Sequence, residues 1–319
     1  MSRGGVRWGI LGAAWVADRA VLPALRDARG AVPLAIASRS PERARELAAR
    51  HGVPRVHAGY EELLADPEVD AVYVPLPNAL HREWTLRALR AGKHVLCEKP
   101  LAVDAAQARE MAAAARGRGR LLMEAVMYRF HPAVRELVAS LTSHRVRFLH
   151  AVFGFPLDPA VAPDTYRLRP ELGGGALLDV GCYLVDLTRW LLGEPAEVDA
   201  VWHRGPTGVD LSCTAVLGFP DGAQAALHAS LECAEHQELV AVHGGGVVRR
   251  DRPFTAWRDP HDPYQLMVEA FSAAVLDGDP PPLPLESSIA TLEVLDRIRA
   301  AAEVRSKGRA RTDGAPAGA

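Results

Sequence analysis

The sequence predicts an α/β protein in which an N-terminal doubly wound parallel sheet is followed by an α+β domain with a largely antiparallel open sheet, and three observations carry that prediction. Up to about Glu124, short apolar runs alternate with longer stretches of helical periodicity, the pattern of parallel strands joined by crossover helices. Beyond it, strand-like runs follow one another with turn residues between them. With 319 residues, 49% of them hydrophobic, the chain is long enough to bury two cores.

The first-half strands are expected at Val6 to Leu11, Val32 to Ala37, Arg55 to His57, Asp70 to Val74, His94 to Cys97 and Leu121 to Glu124. Between them Ser40 caps a helix that Pro41 opens and Gly52 ends, and residues Asp104 to Gly117 repeat that grammar. A helix then runs from Pro132 to Leu141. Strands follow at Val146 to Phe153, Val198 to Trp202, Leu211 to Phe219, Ala223 to Leu231 and Glu238 to Val242, with Pro220-Asp221-Gly222 as a hairpin turn. Helical periodicity returns at Tyr264 to Leu276 and Glu286 to Val304. The expected division is a nucleotide-type domain over 1–124, a second domain over 125–305, and a polar, Gly/Ala/Pro-rich tail over 306–319 expected to lack structure.

Charge narrows the partners. Lys and Arg total 37 against 39 Asp and Glu, so there is no basic field for nucleic acid and no polybasic face for lipid, and small molecules remain. Cys97, Cys182, Cys213 and Cys233 form no CxxC pair, which argues against a disulfide framework or zinc site and for a reducing, cytoplasmic setting. Asp18 and Arg19 interrupt the first apolar run too early for an export signal. The histidines show no ligand spacing, so no catalytic metal is expected, and no G-x-S-x-G elbow is present.

The first strand runs into Gly12-Ala13-Ala14-Trp15-Val16-Ala17, the spacing of the Rossmann dinucleotide fingerprint with alanine in its second glycine position. Such a turn brings backbone N–H groups at a helix N-terminus up to a pyrophosphate. The second strand ends at Ser38-Arg39-Ser40, where an NAD site would place a carboxylate for the ribose hydroxyl. Ser38, Arg39 and Arg43 instead suit a 2′-phosphate, which favours NADP over NAD. In a doubly wound sheet ligands sit beyond the carboxyl ends of the strands, so Pro75-Leu76-Pro77-Asn78 with His81, and Glu98-Lys99-Pro100, lie on the ligand side.

Lys99 follows a buried strand and is fixed by the next proline; its ammonium can hydrogen-bond a reacting oxygen and favour an alkoxide. Proton exchange needs a second group. If the chain is helical from about Leu178, Asp179, Tyr183 and Asp186 share one face at i, i+4 and i+7, which makes Tyr183 the proton donor and acceptor, with Asp179 orienting the substrate hydroxyl or Lys99. An ammonium near that phenol would make it a better acid. The plainer alternative makes Asp179 a helix cap and Tyr183 a core aromatic.

Taken in order, Gly9 to Ala14, Pro75 to Asn78 with His81, Glu98-Lys99-Pro100, Gly173 to Tyr183 with Asp186, and Tyr264 to Glu269 resemble the Gfo/Idh/MocA oxidoreductases over nearly the whole chain. The resemblance implies hydride transfer between nicotinamide C4 and a hydroxyl- or ketone-bearing carbon of a sugar, cyclic polyol or trans-dihydrodiol, with Lys99 as the catalytic lysine. Many members carry histidine where this chain has Tyr183, and the tyrosine points to pyranose- and dihydrodiol-acting members or to reductases of nucleotide-linked ketosugars. By the same likeness Arg129 and His131 lie toward the nicotinamide, and Phe155, Tyr166 and Arg167 are substrate contacts. A nonenzymatic dinucleotide-binding regulator is the third alternative, and an open antiparallel sheet suggests a homodimer or higher homo-oligomer.

Overall fold

The computed structural model describes residues 4–158, 165–255 and 260–312. They form two compact units, Met1–Arg135 with Thr255–Ile289, and Glu136–Phe254 with Ala290–Ala319.

In the first unit β1 (Val6–Leu11), β2 (Ala31–Ala37), β3 (Arg55–His57), β4 (Ala71–Val74), β5 (His94–Glu98) and β6 (Leu122–Ala125) make a parallel sheet in the order β3-β2-β1-β4-β5-β6. Helices α1 (Leu22–Asp27), α2 (Pro41–His51), α3 (Tyr60–Ala65), α4 (Asn78–Arg90) and α5 (Ala105–Arg118) supply the crossovers. β4 and β6 are buried along their whole length, as apolar strands covered on both faces must be. The order reverses between β1 and β4, so the switch point opens beyond Leu11 and Val74. The caps lie where the sequence puts them: Ser40 Oγ accepts the Arg43 N–H at 3.3 Å, and Asp104 Oδ1 accepts the Gln107 N–H at 2.8 Å. Gly52 takes the left-handed conformation after α2, whereas α5 runs one residue past Gly117 and ends at the left-handed Gly119.

The second unit is built on β7 (Val146–Gly154), β8 (Glu197–Arg204), β9 (Asp210–Gly218), β10 (Gln224–Ser230), β11 (His236–His243) and β12 (Gly246–Asp251), in the order β12-β11-β7-β10-β9-β8. All its pairs are antiparallel except β7 with β10. Its alternation is the half-buried kind: Leu149, Ala151, Leu217, Leu227 and Leu239 face the core, while Phe148, Val201 and Val216 face outward. Helix α6 (Pro132–Thr142) precedes β7, and α7 (Cys182–Leu192) precedes β8.

Three expectations need correction. β12 was not anticipated, because Gly246 to Asp251 is a polar, mostly exposed edge strand with no apolar alternation to read. α8 (Pro263–Asp277) belongs to the first unit and not to the second-half domain. Its Phe271 ring lies 5.3 Å from Trp8, and Ser272 Oγ accepts the Trp8 indole N–H at 3.2 Å. Finally α9 (Leu285–Thr312) continues past Ser306, where the unstructured tail was expected to begin, because Trp202 donates to Ser306 Oγ at 3.0 Å and Arg305 pairs with Asp199. Residues 313–319 of that tail lie outside the described residues.

Since Trp8 and Phe271 are fully buried, Phe271→Ala is expected to cost about 3–5 kcal/mol in urea denaturation. A loss below about 0.5 kcal/mol, the range of ordinary surface changes, would show that α8 is not part of that core.

Candidate active site

Gly12 leaves β1 with φ +129°, and a Cβ there would come within 3.1 Å of Leu76 Cδ2, so this position requires glycine. Ala13 and Ala14 complete the turn, and Trp15 and Val16 begin a helix that passes through a π turn at Ala17–Val21 into α1. The first amides of any helix lack intrahelical acceptors, so this turn presents donors of the kind a pyrophosphate accepts. Arg43 closes it from the side, donating to the Ala13 carbonyl at 3.1 Å. Ser38 is buried at the end of β2 with its Oγ accepting the Ser40 N–H at 3.2 Å, and Arg39 beside it is exposed. Trp15 is 74% exposed beside the turn, an orientation that packing within this chain does not require.

Beyond β4 come Pro75, Leu76, Pro77 and Asn78, the last opening α4; beyond β5 comes Lys99, joined to Pro100 by a cis peptide. Glu98 is buried and accepts the Tyr73 hydroxyl at 2.5 Å and the Lys99 N–H at 3.2 Å. His81 was grouped with the cofactor contacts, yet its side chain is completely buried. Its Nδ1 lies 2.8 Å from the Pro100 carbonyl oxygen and its Nε2 lies 2.7 Å from that of Leu76. Two carbonyl acceptors favour a doubly protonated ring, whereas burial opposes it, with Lys99 adding repulsion; burial dominates and pulls the imidazole down to about 4. His81 is thus a clamp packed between the Leu76 and Pro100 loops, its neutral ring donating to only one of the two carbonyls at a time. Arg129, in a short 3₁₀ turn after β6, reaches Ser287 Oγ at 3.5 Å.

In the second unit the helix expected from about Leu178 begins as a π turn at Leu177–Gly181 and continues as α7, the kind of irregularity that recurs at functional positions. Asp179, Tyr183 and Asp186 are all buried along it. Arg167 Nε donates to Asp179 Oδ2 at 2.6 Å, and the Tyr166 hydroxyl lies 3.4 Å from Oδ1. The guanidinium carbon sits 5.0 Å from the Tyr166 ring centroid and 5.7 Å from that of Phe155. Burial works against the charged guanidinium, but Asp179, Tyr166 and Tyr183 hold the Arg167 pKa above its ordinary value. The Tyr183 ring packs against a stacked Phe153–Phe254 pair, 5.5 Å from Phe153 and 5.8 Å from Phe254. The structure therefore gathers Phe155, Tyr166, Arg167, Asp179 and Tyr183 into one cluster. Sequence reading missed Tyr73 behind Glu98 and Phe254 behind Tyr183, neither of which carries a local signal.

Residues 6–126 match the family described as "Oxidoreductase family, NAD-binding Rossmann fold", and residues 131–246 match the "GFO/IDH/MocA C-terminal domain". The chain is 34% identical to D-xylose 1-dehydrogenase (NADP(+)) 2 of Haloferax volcanii over 93% of this chain and 97% of that one. It is 37% identical to trans-1,2-dihydrobenzene-1,2-diol dehydrogenase of Sus scrofa over 75% of this chain and 72% of that one. Among solved structures, a 3-ketoreductase from Actinomadura kijaniata in complex with NADP and TDP-benzene superposes with a TM-score of 0.87 at 36% identity, covering 93% of this chain and 98% of that one.

The clamp has a pH signature. The unfolded His81 ring takes its proton near its ordinary value of 6.5 and the folded ring only near 4, so in that window the unfolded chain binds more protons. The stabilisation is fully present above about pH 6.5 and is lost as pH falls toward 4. Urea denaturation of wild type and His81→Asn across this range should show the shallower pH dependence in the variant; parallel curves would contradict it.

Proposed function

From the premise that this chain belongs to the Gfo/Idh/MocA family and is an NAD(P)-dependent oxidoreductase of hydroxyl and keto carbons, we propose that it acts with NADP on a pyranose or trans-dihydrodiol through Lys99 and Tyr183. The observation that carries this reading is the Arg167–Asp179 pair beside Tyr183, in which a buried carboxylate and a buried phenol meet a guanidinium that is one-third exposed. The dinucleotide is held by the Gly12 to Val16 turn, with Ser38, Arg39 and Arg43 toward its 2′-phosphate and the Pro75 to Asn78 loop, Glu98 and Arg129 toward the nicotinamide end. When bound, it supplies or accepts the hydride at C4 of its nicotinamide.

The chain's own residues do the rest. In the reducing direction Lys99 donates a hydrogen bond to the substrate carbonyl oxygen and stabilises the negative charge that grows there. Tyr183 gives its proton to that oxygen as the carbon receives the hydride, so the ketone becomes an alcohol and the phenolate recovers a proton from solvent. Asp179, held by Arg167, takes a substrate hydroxyl and fixes the ring, with Phe155 and Tyr166 packing against it. Oxidation runs the same steps backward.

A second reading, a reductase of nucleotide-linked ketosugars, is favoured by the full-length likeness to the ketoreductase solved with TDP-benzene. A panel of aldoses, trans-dihydrodiols and dTDP-linked ketosugars, each with NADP(H) and NAD(H), separates the two by reduced-nicotinamide absorbance. Preference for the free sugar or diol supports the first reading, and turnover only with the nucleotide attached supports the second. Lys99→Met and Tyr183→Phe should each lower kcat by about 10²-fold or more while NADPH affinity is kept. Unchanged rates would remove both residues from the chemistry, and NADPH binding without turnover on any substrate would favour a regulator.

We place the protein in the cytoplasm, in keeping with four free cysteines, three of them buried. Among the described residues no helix is long and apolar enough to cross a membrane. We also propose a homo-oligomer joined through the outward face of the second sheet, where Val216 is 54% exposed, with Val201 and Phe148 close to 40%. Sedimentation should give a dimer or larger species that Val216→Glu reduces to monomer; a wild-type monomer at micromolar concentration contradicts this.

A further inference from the structure

Asp210, the first residue of β9, received no attention in the sequence, because an aspartate after a Gly-Val pair is unremarkable there. In the fold its Oδ2 accepts the Leu177 N–H at 2.6 Å, the amide that opens the π turn bearing Asp179. The glycine run before that turn is shaped by the same contact. Gly175 has φ +113°, and a Cβ on it would collide with Asp210 Oδ1. A Cβ on Gly174 would press into the Arg167 backbone, whose carbonyl accepts the Gly175 N–H at 2.9 Å. One side of the run is therefore held by the carboxylate of Asp210 and the other by the main chain of Arg167, whose side chain holds Asp179.

We propose that Asp210 is a positioning residue for hydride transfer: by capturing the first amide of the π turn it fixes the direction in which Asp179 and Tyr183 leave the helix. The proposal rests on Tyr183 being the proton-transfer group. Capture of a helix-opening amide by a carboxylate is favourable in itself. Here the site is costly, since burial pushes the Asp210 carboxyl up to about 6 despite the Leu177 amide and the favourable charges of Arg299 and Arg204. The carboxylate also joins burial in pushing the Cys213 thiol up to about 12. A cap serving stability alone gains little from so enclosed a carboxylate, whereas a constellation that must be held to within about an ångström gains accuracy from it.

The test uses the full chain with Asp210→Ala, Asp210→Asn and Gly175→Ala. Asp210→Ala is expected to lower kcat by about 10- to 100-fold, with KM and the NADPH dissociation constant changed by less than about 3-fold. Asp210→Asn, which keeps an acceptor oxygen, should recover most of the rate, and Gly175→Ala, which displaces the carboxylate, should resemble Asp210→Ala. Wild-type kcat in Asp210→Ala, or parallel loss of kcat and cofactor affinity, overturns the proposal; if Asp210→Ala does not fold, the split between Asp210→Asn and Gly175→Ala decides it. Should the wild type turn over no substrate, the Tyr183 reading fails by itself. Amide hydrogen exchange then still decides the anchor: the Leu177 amide should exchange faster in Asp210→Ala while those of β1 are unchanged, and equal exchange removes it.

Discussion

A buried imidazole between two carbonyl groups holds the ligand-facing end of the first unit together. His81 touches the Leu76 carbonyl on one side and the Pro100 carbonyl on the other, so the loop after β4 and the loop after β5 are tied through one ring that solvent does not reach. Lys99 lies between those anchors, with Glu98 braced behind it by Tyr73. An ammonium on a long, flexible stem is useful to chemistry only if its root is fixed, and here Glu98 and the cis bond to Pro100 flank that root.

The second unit follows the same logic with charges. Asp179 is 3% exposed at its side chain, and a carboxylate in such a place survives because Arg167 pairs with it. Replacing such a pair by apolar residues is often neutral or stabilising, whereas removing one partner strands the other. Phe153 and Phe254 stack on each other, and the Tyr183 ring packs against both.

Much of this was legible in the sequence because it is local. The six parallel strands, the caps Ser40 and Asp104 and the turn at Gly12 depend on residues within a few positions of one another. Lys99 stands out by its place after a buried strand, and Asp179 and Tyr183 by helical spacing, although the π turn that opens the helix of the latter two leaves no such mark. Spacing places His81 on the ligand side, and only packing shows that its ring is sealed inside. Asp210, Tyr73 and Phe254 act across separations that no periodicity encodes, and α8 joins the first unit through contacts remote in sequence, such as Trp8 with Phe271 and Ser272 and Arg29 with Glu269. β12 and the end of α9 escaped notice because polar residues there are held by neighbours and not by an apolar pattern.

The proposed reaction requires Lys99 and Tyr183 to serve one substrate oxygen. A crystal structure of the ternary complex with NADP and a turned-over or closely analogous substrate measures it directly. The Lys99 Nζ and Tyr183 hydroxyl should both lie about 3 Å from the same oxygen, with the carbon bearing it about 3–3.5 Å from nicotinamide C4. A bound substrate whose reacting oxygen contacts neither group, or the two side chains opening into separate cavities, would contradict the assignment.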